Sequence, residues 1–369
     1  MDQLVQQLTD VCRVFKIDYP FHSYDVITIG NINTTYKVTF QKEDGEQKSF
    51  ILQRINNYVF KHPEEIMENI DLVTTYIREN TAERDDRVAL HYHHTLTQAN
   101  YYYDGGDNFW RLCNYVDSVT YNSCQDLNVL RATGAAFGEF QSSLSGFDAS
   151  RLYETIPNFH NTKKRLEGFF VRVEEDEYGR VGEVQAEIDY IRSQRELASQ
   201  LSNMLERGEL PLRVTHNYTK INNVLFDRVN NQPLTVIDLD TVMPGLAMYD
   251  FGDAVRFAAN TAEEDEKDLS KVSLDLDRFR AFAEGFIPPI ASCLTPLEID
   301  TMALGALTIA IELGLRFLED YITGDKYFRT RYPGHNLVRA RCQLELARDM
   351  QRKMDQMNAI VHEIAEKAR

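Results

Sequence analysis

This 369-residue sequence predicts an α+β protein of two lobes, the first small and rich in strands and the second large and helical. Three observations carry that expectation. Apolar residues alternate with polar ones in much of residues 1–116; the period lengthens to three and four from about Asp126; and a short polar β insert interrupts the helices between 212 and 239. With 43% apolar residues the chain can fill substantial cores. The predicted lobes are residues 1–116 and 117–369, joined by a hinge at Cys113 to Asp117, with a ligand cleft between them.

In chain order, "DVITIG" (25–30) and "TTYKVTFQ" (34–41) read as strands, and in the second Tyr36, Val38 and Phe40 alternate with polar neighbours. The turn "KEDGEQ" leads into a third strand, "SFILQRI" (49–55). Pro63 opens a helix to about Asn80, with Ile66, Ile70, Val73 and Ile77 on one face. "RVALHYH", "NYYYD" and "FWRLCNYV" are β-rich and punctuated by "DGGD". A helix is predicted over 127–147, where Gly134, Ala135, Ala136 and Gly138 allow close packing, and Ile188, Ile191, Leu197, Leu201 and Leu205 stripe another. "LRVTHN", "NVLF" and "LTVIDL" are three short strands, the last two joined by "DRVNNQ". Ala347, Met350, Met354, Met357, Val361 and Ile364 mark a final helix docked on its own domain.

Composition excludes several classes of function. The 57 acidic against 40 basic residues give a net charge of −17, which disfavours nucleic acid and anionic membrane surfaces as partners. "MALGALTIAIELGLRFL" (302–318) carries Glu312 and Arg316, so a buried helix is expected and not a membrane span. The first residues lack the basic head and apolar run of a secretory signal. The five cysteines are dispersed, with no zinc spacing. Together these features point to the cytoplasm.

Two segments hold groups suited to chemistry. "VIDLD" ends an apolar strand in Asp238 and Asp240, and Asn222 and Asn223 lie one hairpin away. A carboxylate and an amide oxygen suit Mg²⁺, which takes few protein ligands and keeps positions for phosphate; the alternative is that these are turn and capping residues. Asp250 and Asp253, three apart, fit the start of a helix, where acids cap and offset the dipole.

The pattern His216-x-Tyr218-x₄-Asn223 followed by Ile237-Asp238 resembles the catalytic loop and metal pair of the aminoglycoside and choline kinase-like phosphotransferases. Those proteins share the two-lobed protein-kinase fold. A closer resemblance, to the N-acetylhexosamine 1-kinases, rests on "INTTY", "ILQ", "FGEFQ", "LRVTHN", "IDLDTVMPG", "DFGDAVRF", "EDEKDLSKV" and "YPGHNLVR", in order along nearly the whole chain. It implies ATP-dependent phosphorylation of N-acetylglucosamine or N-acetylgalactosamine at the anomeric C1 hydroxyl. It also implies Mg²⁺ on Asn223 and Asp238 and adenine at the hinge backbone of Leu112, Asn114 and Tyr115. Gly30 and Asn31 would cover the phosphates, and Arg316 and Tyr327 would contact the sugar. Gln53 stands where protein kinases place a phosphate-pairing lysine, as it does in the sugar kinases. "TIGN" (28–31) offers one glycine where the family shows Gly-x-Gly-His, and fewer close backbone approaches weaken phosphate binding.

Within the loop, His216 is read as a brace, while Asn217 and Lys220 match the family. Tyr218 does not. The family has an aspartate there, which accepts the acceptor's proton; a phenol is neutral at pH 7 and donates where an anionic acceptor is wanted. Losing a general base costs roughly 10²- to 10⁴-fold in rate. Activity is therefore expected to be impaired. The alternatives are a non-catalytic pseudokinase that binds sugar or nucleotide, and a kinase with an amine-bearing acceptor.

Overall fold

The computed structural model describes residues 3–28, 32–80, 90–106, 108–123 and 125–369. Its N-terminal part is an antiparallel sheet of β1 (Phe21–Ile27), β2 (Thr34–Gln41), β3 (Gln47–Ile55), β4 (Tyr102–Tyr103) and β5 (Phe109–Asn114), in the order β1, β2, β3, β5, β4. The alternation read in the sequence decides its two faces. Tyr36, Val38, Phe40, Phe50, Leu52, Trp110 and Leu112 point one way, under Leu8, Val11, Cys12 and Phe15 at the helix α1 (Gln3–Val14). The register sets Thr35 opposite Gln53 and Gln53 opposite Arg111, a polar row on the other face. Helix α2 (Pro63–Asn80) has the predicted bounds and buries Ile66, Ile70 and Val73.

The chain is then mainly helical. Asp126 caps α3 (Leu127–Ser143) by accepting from the Asn128 N–H at 2.8 Å. α4 (Thr162–Glu175) follows. The stripe from Ile188 to Leu205, expected as one helix, is three: α5 (Gln185–Ser193), α6 (Arg195–Ala198) and α7 (Gln200–Glu206), separated at Gln194 and Ser199. The apolar spacing persists through these breaks, and so hides them.

The β insert is β6 (Arg213–Thr215), β7 (Val224–Phe226), β8 (Pro233–Val236) and β9 (Met243–Gly245). The second and third strands pair as expected, whereas β6 pairs with β9, a strand without an apolar signature. β8 stops before Asp238, whose φ of +65° leaves the extended region. After it come α8 (Ala247–Ala258), α9 (Leu276–Ile290), α10 (Pro296–Asp300), α11 (Met302–Ile322), α12 (His335–Arg352) and α13 (Met354–Ala368). α11 is buried along its length, as its apolar sequence requires, and among the described residues no helix is long and apolar enough to cross a membrane. The C-terminal stripe docks on its own domain but is divided at Lys353 into α12 and α13.

α3 and α9 cross at the closest approach in this part. A Cβ on Gly134 would lie 2.3 Å from the Phe282 carbonyl oxygen, and one on Gly138 2.3 Å from that of Phe286. The backbone itself is the obstacle, so no side chain can move aside. Gly138→Ala is expected to destabilise the protein by about 1–3 kcal/mol, read as a lowered urea midpoint with an unchanged m-value.

Candidate functional site

The segment from His216 to Lys220 is irregular backbone, and irregular backbone needs partners for its polar groups. α8 supplies them. The buried Asp250 carboxylate accepts from the His216 N–H at 2.8 Å, the Asn217 N–H at 2.7 Å and Gln141 Nε2 at 2.7 Å. Asp253 accepts from the Thr219 N–H at 3.1 Å while paired with Arg256 at 2.9 Å, and Thr219 Oγ1 donates to the Asp250 carbonyl. Burial pushes the Asp250 carboxyl up, and the three donors oppose it. Asp250 stands in the first turn of α8, as expected of an acid at the start of a helix, but the expected capping is corrected: neither Asp250 nor Asp253 bonds the α8 N-terminus. Their spacing of three puts both on the one face that meets the loop.

His216 is fully buried between Phe137 and Phe140, and its Nε2 lies 2.9 Å from the Ile237 carbonyl oxygen. Asn217 has φ +63°, and its Nδ2 donates to the Thr241 carbonyl at 2.9 Å. Both side chains therefore tie the loop to the 237–241 turn. Asn223 accepts from the Ile237 N–H at 2.8 Å, which brings Asn223 beside the residue before Asp238. Asn223 Nδ2 donates to the Tyr218 carbonyl at 2.9 Å, so its Oδ1 is not needed for that contact.

Among the described residues none donates a hydrogen bond to the Asp238 carboxylate. The residue is exposed, and the surrounding protein and then Asp240 push its carboxyl up. A carboxylate without donors beside an amide oxygen fits a hard divalent cation that keeps other positions for phosphate.

Asp240 is occupied differently. It ion-pairs with Arg111, fully buried on β5, and accepts from Asn33 Nδ2 at 2.6 Å. Burial disfavours the Arg111 cation, but Asp240 outweighs it and holds the guanidinium more firmly protonated. Sequence reading did not single out Arg111. The available signal was an arginine in the strand "FWRLCN", on the face opposite Trp110 and Leu112.

Tyr218 is half-buried. Lys220 Nζ donates to its hydroxyl at 2.7 Å and lies 4.4 Å from its ring centroid and 4.5 Å from that of Phe257. The lysine is held between two aromatic faces. At the hinge, the Leu112 side chain belongs to the core under α1, and its carbonyl accepts from the His93 N–H at 2.8 Å. The Asn114 N–H donates to the His91 carbonyl at 3.1 Å and the Tyr115 N–H to that of Ser49 at 3.4 Å. Gly30 and Asn31 lie outside the described residues.

Arg316 and Tyr327 come together at the far end of α11. The Arg316 guanidinium lies beside the Tyr327 side chain, 5.6 Å from the Phe159 ring and 5.5 Å from that of Phe328; burial and then Arg165 weaken its hold on the proton. Neither Glu312 nor Asp320 is its ion-pair partner. Glu312 takes His160 at 2.9 Å, Thr162 at 2.6 Å and Arg165 at 3.6 Å. Asp320 accepts the N–H groups of Lys326, Tyr327 and Phe328 and so forms the turn that carries Tyr327, whose side chain is 74% exposed. No hydrogen bond, ion pair or ring contact among the described residues joins this cluster directly to Tyr218.

A small antiparallel lobe over a helical one, with a braced loop facing an Asn and Asp pair, is the architecture of the kinase-like phosphotransferases. Solved structures share it. A microcompartment-associated aminopropanol kinase is 16% identical with a TM-score of 0.59, covering 96% of this chain and 98% of that one. Choline kinase from Cryptosporidium parvum is 13% identical at 0.58 over 95% and 96%. Spectinomycin phosphotransferase in complex with ADP and spectinomycin is 13% identical at 0.55 over 98% of both. At these identities the likeness speaks for the fold. Residues 24–282 match the APH phosphotransferase enzyme family, and the chain belongs to that family.

Glu312 offers a pH test. Burial raises its carboxyl, but His160, by charge and hydrogen bond, and then Arg165 overcome this and bring it from 4.5 to about 2. A depressed folded-state value means that its contribution is complete above 4.5 and is lost as pH falls toward 2. Glu312→Gln is expected to destabilise by about 3 kcal/mol at pH 7. In urea unfolding at pH 7, 4 and 3, the gap to the parent should narrow with acid.

Proposed function

We propose that the chain binds Mg²⁺ and ATP between its lobes and directs the γ-phosphate to the anomeric C1 hydroxyl of N-acetylglucosamine or N-acetylgalactosamine, slowly because of Tyr218. One observation carries this reading: a loop braced at His216, Asn217 and Thr219 is tied to the turn that bears Asp238, with a single side chain out of keeping with transfer. Residues 1–116 cover the nucleotide through Gly30, Asn31 and the backbone of Leu112, Asn114 and Tyr115. Residues 117–369 supply the loop and the sugar contacts, Arg316 and Tyr327. Asn223 and Asp238 would hold the metal, which neutralises phosphate charge when bound.

Tyr218 acts against transfer in two ways. It removes the anionic acceptor for the hydroxyl proton, and it binds Lys220, the nearest cation in the loop. Because phosphoryl transfer has a loose transition state, positioning and the metal still support a slow reaction. The Tyr218 and Lys220 contact also favours a second reading, a pseudokinase that binds nucleotide or sugar without turnover. An amine-bearing acceptor, as in the names of the aminopropanol and choline kinases, is opposed by the partly buried Arg316, which repels a cation at close range.

Tyr218→Asp is expected to raise turnover roughly 10²- to 10⁴-fold, measured as ADP release with Mg·ATP and either N-acetylhexosamine, the sugar 1-phosphate being identified by phosphorus NMR. Equal turnover in parent and variant would sink the account of Tyr218. Calorimetric ADP binding with no turnover in either supports the pseudokinase. Turnover of aminopropanol or choline alone supports the amine acceptor.

A further inference from the structure

A row of polar side chains crosses the inner face of the sheet and continues into the helical lobe. Gln53 Nε2 donates to Thr35 Oγ1 at 3.0 Å, and Arg111 Nε donates to Gln53 Oε1 at 2.9 Å. The Arg111 fork then reaches Asp240 across the cleft with Nη1. On its other oxygen, Asp240 accepts from Asn33 Nδ2 at 2.6 Å. Asn33 in turn accepts from the Asn56 N–H at 3.0 Å, fixing the residues that lead into β2.

Two consequences follow. Both carboxylate oxygens of Asp240 are engaged by protein, so of the two acids in "VIDLD" only Asp238 remains open to a ligand. And the strand position where a lysine would bridge to phosphate carries an amide, Gln53, whose oxygen is spent on orienting the neighbouring guanidinium. The cation on this row is Arg111, one strand over, and it contacts Gln53 and Asp240.

We infer that Arg111 is a positioning residue, which fastens the nucleotide-covering lobe to the loop bearing Asp238 by gripping Gln53 and Asp240 at once. Burying such a pair brings little net stability, because desolvation offsets the attraction; apolar side chains of similar size would fill the space as well. What they could not do is join three separate segments, the start of β2, the middle of the sheet and the 238–241 turn, in one geometry. A lysine could not either, since its single ammonium lacks the planar fork. The functional part of this inference rests on Asp238 being the metal ligand proposed above.

Hydrogen exchange of the protein without nucleotide, read by mass spectrometry, tests the coupling independently of turnover. In Arg111→Lys, exchange is expected to rise about tenfold in peptides covering 32–35 and 237–242, with no change in α3 and α9. A uniform rise would reduce Arg111 to a packing residue, and no rise would mean that it holds neither segment; each overturns the inference. Should Arg111→Lys fail to fold, Asn33→Ala removes the bond to Asp240 and the one from the Asn56 N–H while leaving the Arg111 pair in place, and is expected to loosen 32–35 together with 237–242; loosening of neither, or of 32–35 alone, overturns it.

Calorimetry supplies the second readout. Arg111→Lys should weaken ADP binding about tenfold with Mg²⁺ present and less than about threefold in EDTA. Equal weakening in both conditions would remove the link to the metal. If the parent binds no Mg·ADP, the functional reading fails, and the exchange pattern still decides whether Arg111 couples the lobes.

Discussion

One buried carboxylate, Asp250, is the constraint on which the loop depends. Two consecutive N–H groups, those of His216 and Asn217, converge on it, and its own carbonyl takes the Thr219 hydroxyl. Both amides reach one carboxylate, and the chain then turns at Asn217, whose φ is +63°. Without an anionic acceptor behind it, this backbone would leave unpaired donors in a sealed interior, a state costing several kcal/mol. Asp250 itself is set by packing. Gly252, two residues on, abuts Gly305 of α11 so closely that a Cβ would lie 2.5 Å from the Gly305 carbonyl oxygen. The helical core thus fixes α8, α8 fixes the loop, and the loop fixes where Tyr218, Lys220 and Asn223 stand.

The 237–241 turn shares that dependence from the other side. His216, Asn217 and Thr241 cross-link it to the loop, while Asp238 occupies a left-handed backbone position that frees its carboxylate from the strand. Asp238 and Asp240 are two residues apart in the same short turn, yet their surroundings separate them completely. Asp240 pairs with Arg111 and accepts from Asn33; among the described residues none donates to the Asp238 carboxylate, which the surrounding protein and then Asp240 push up. Two identical side chains acquire distinct chemistry because only one is reached by the sheet.

Tyr218 takes its partner from the same loop: Lys220 donates to the phenol hydroxyl and lies over its ring. The bonds that brace the loop come from His216, Asn217 and Thr219. The shape of the loop and the chemistry at position 218 are thus set by different residues.

Much was legible in the sequence. Alternation in "TTYKVTFQ" specified which face lies under α1, the bounds of α2 followed from Pro63 and its apolar stripe, and the small residues of α3 marked its contact with α9. These are local patterns, set by the periods of strand and helix. The resemblance grouped His216, Asn217, Lys220, Asn223 and Asp238, and the structure ties the loop to the 237–241 turn through His216, Asn217 and Thr241. Other features were not legible. The breaks at Gln194 and Ser199 leave the apolar period intact, and β9 has no period to read. Arg111 with Asp240 and Asp250 with the loop join residues 129 and 34 apart, respectively, in sequence. Sequence by itself determined residue types, local periods and the loop pattern; tertiary structure alone decided which acid is braced, which is paired and which is free. A carboxylate's role depends on the donors that burial brings to it, and those arrive from distant segments.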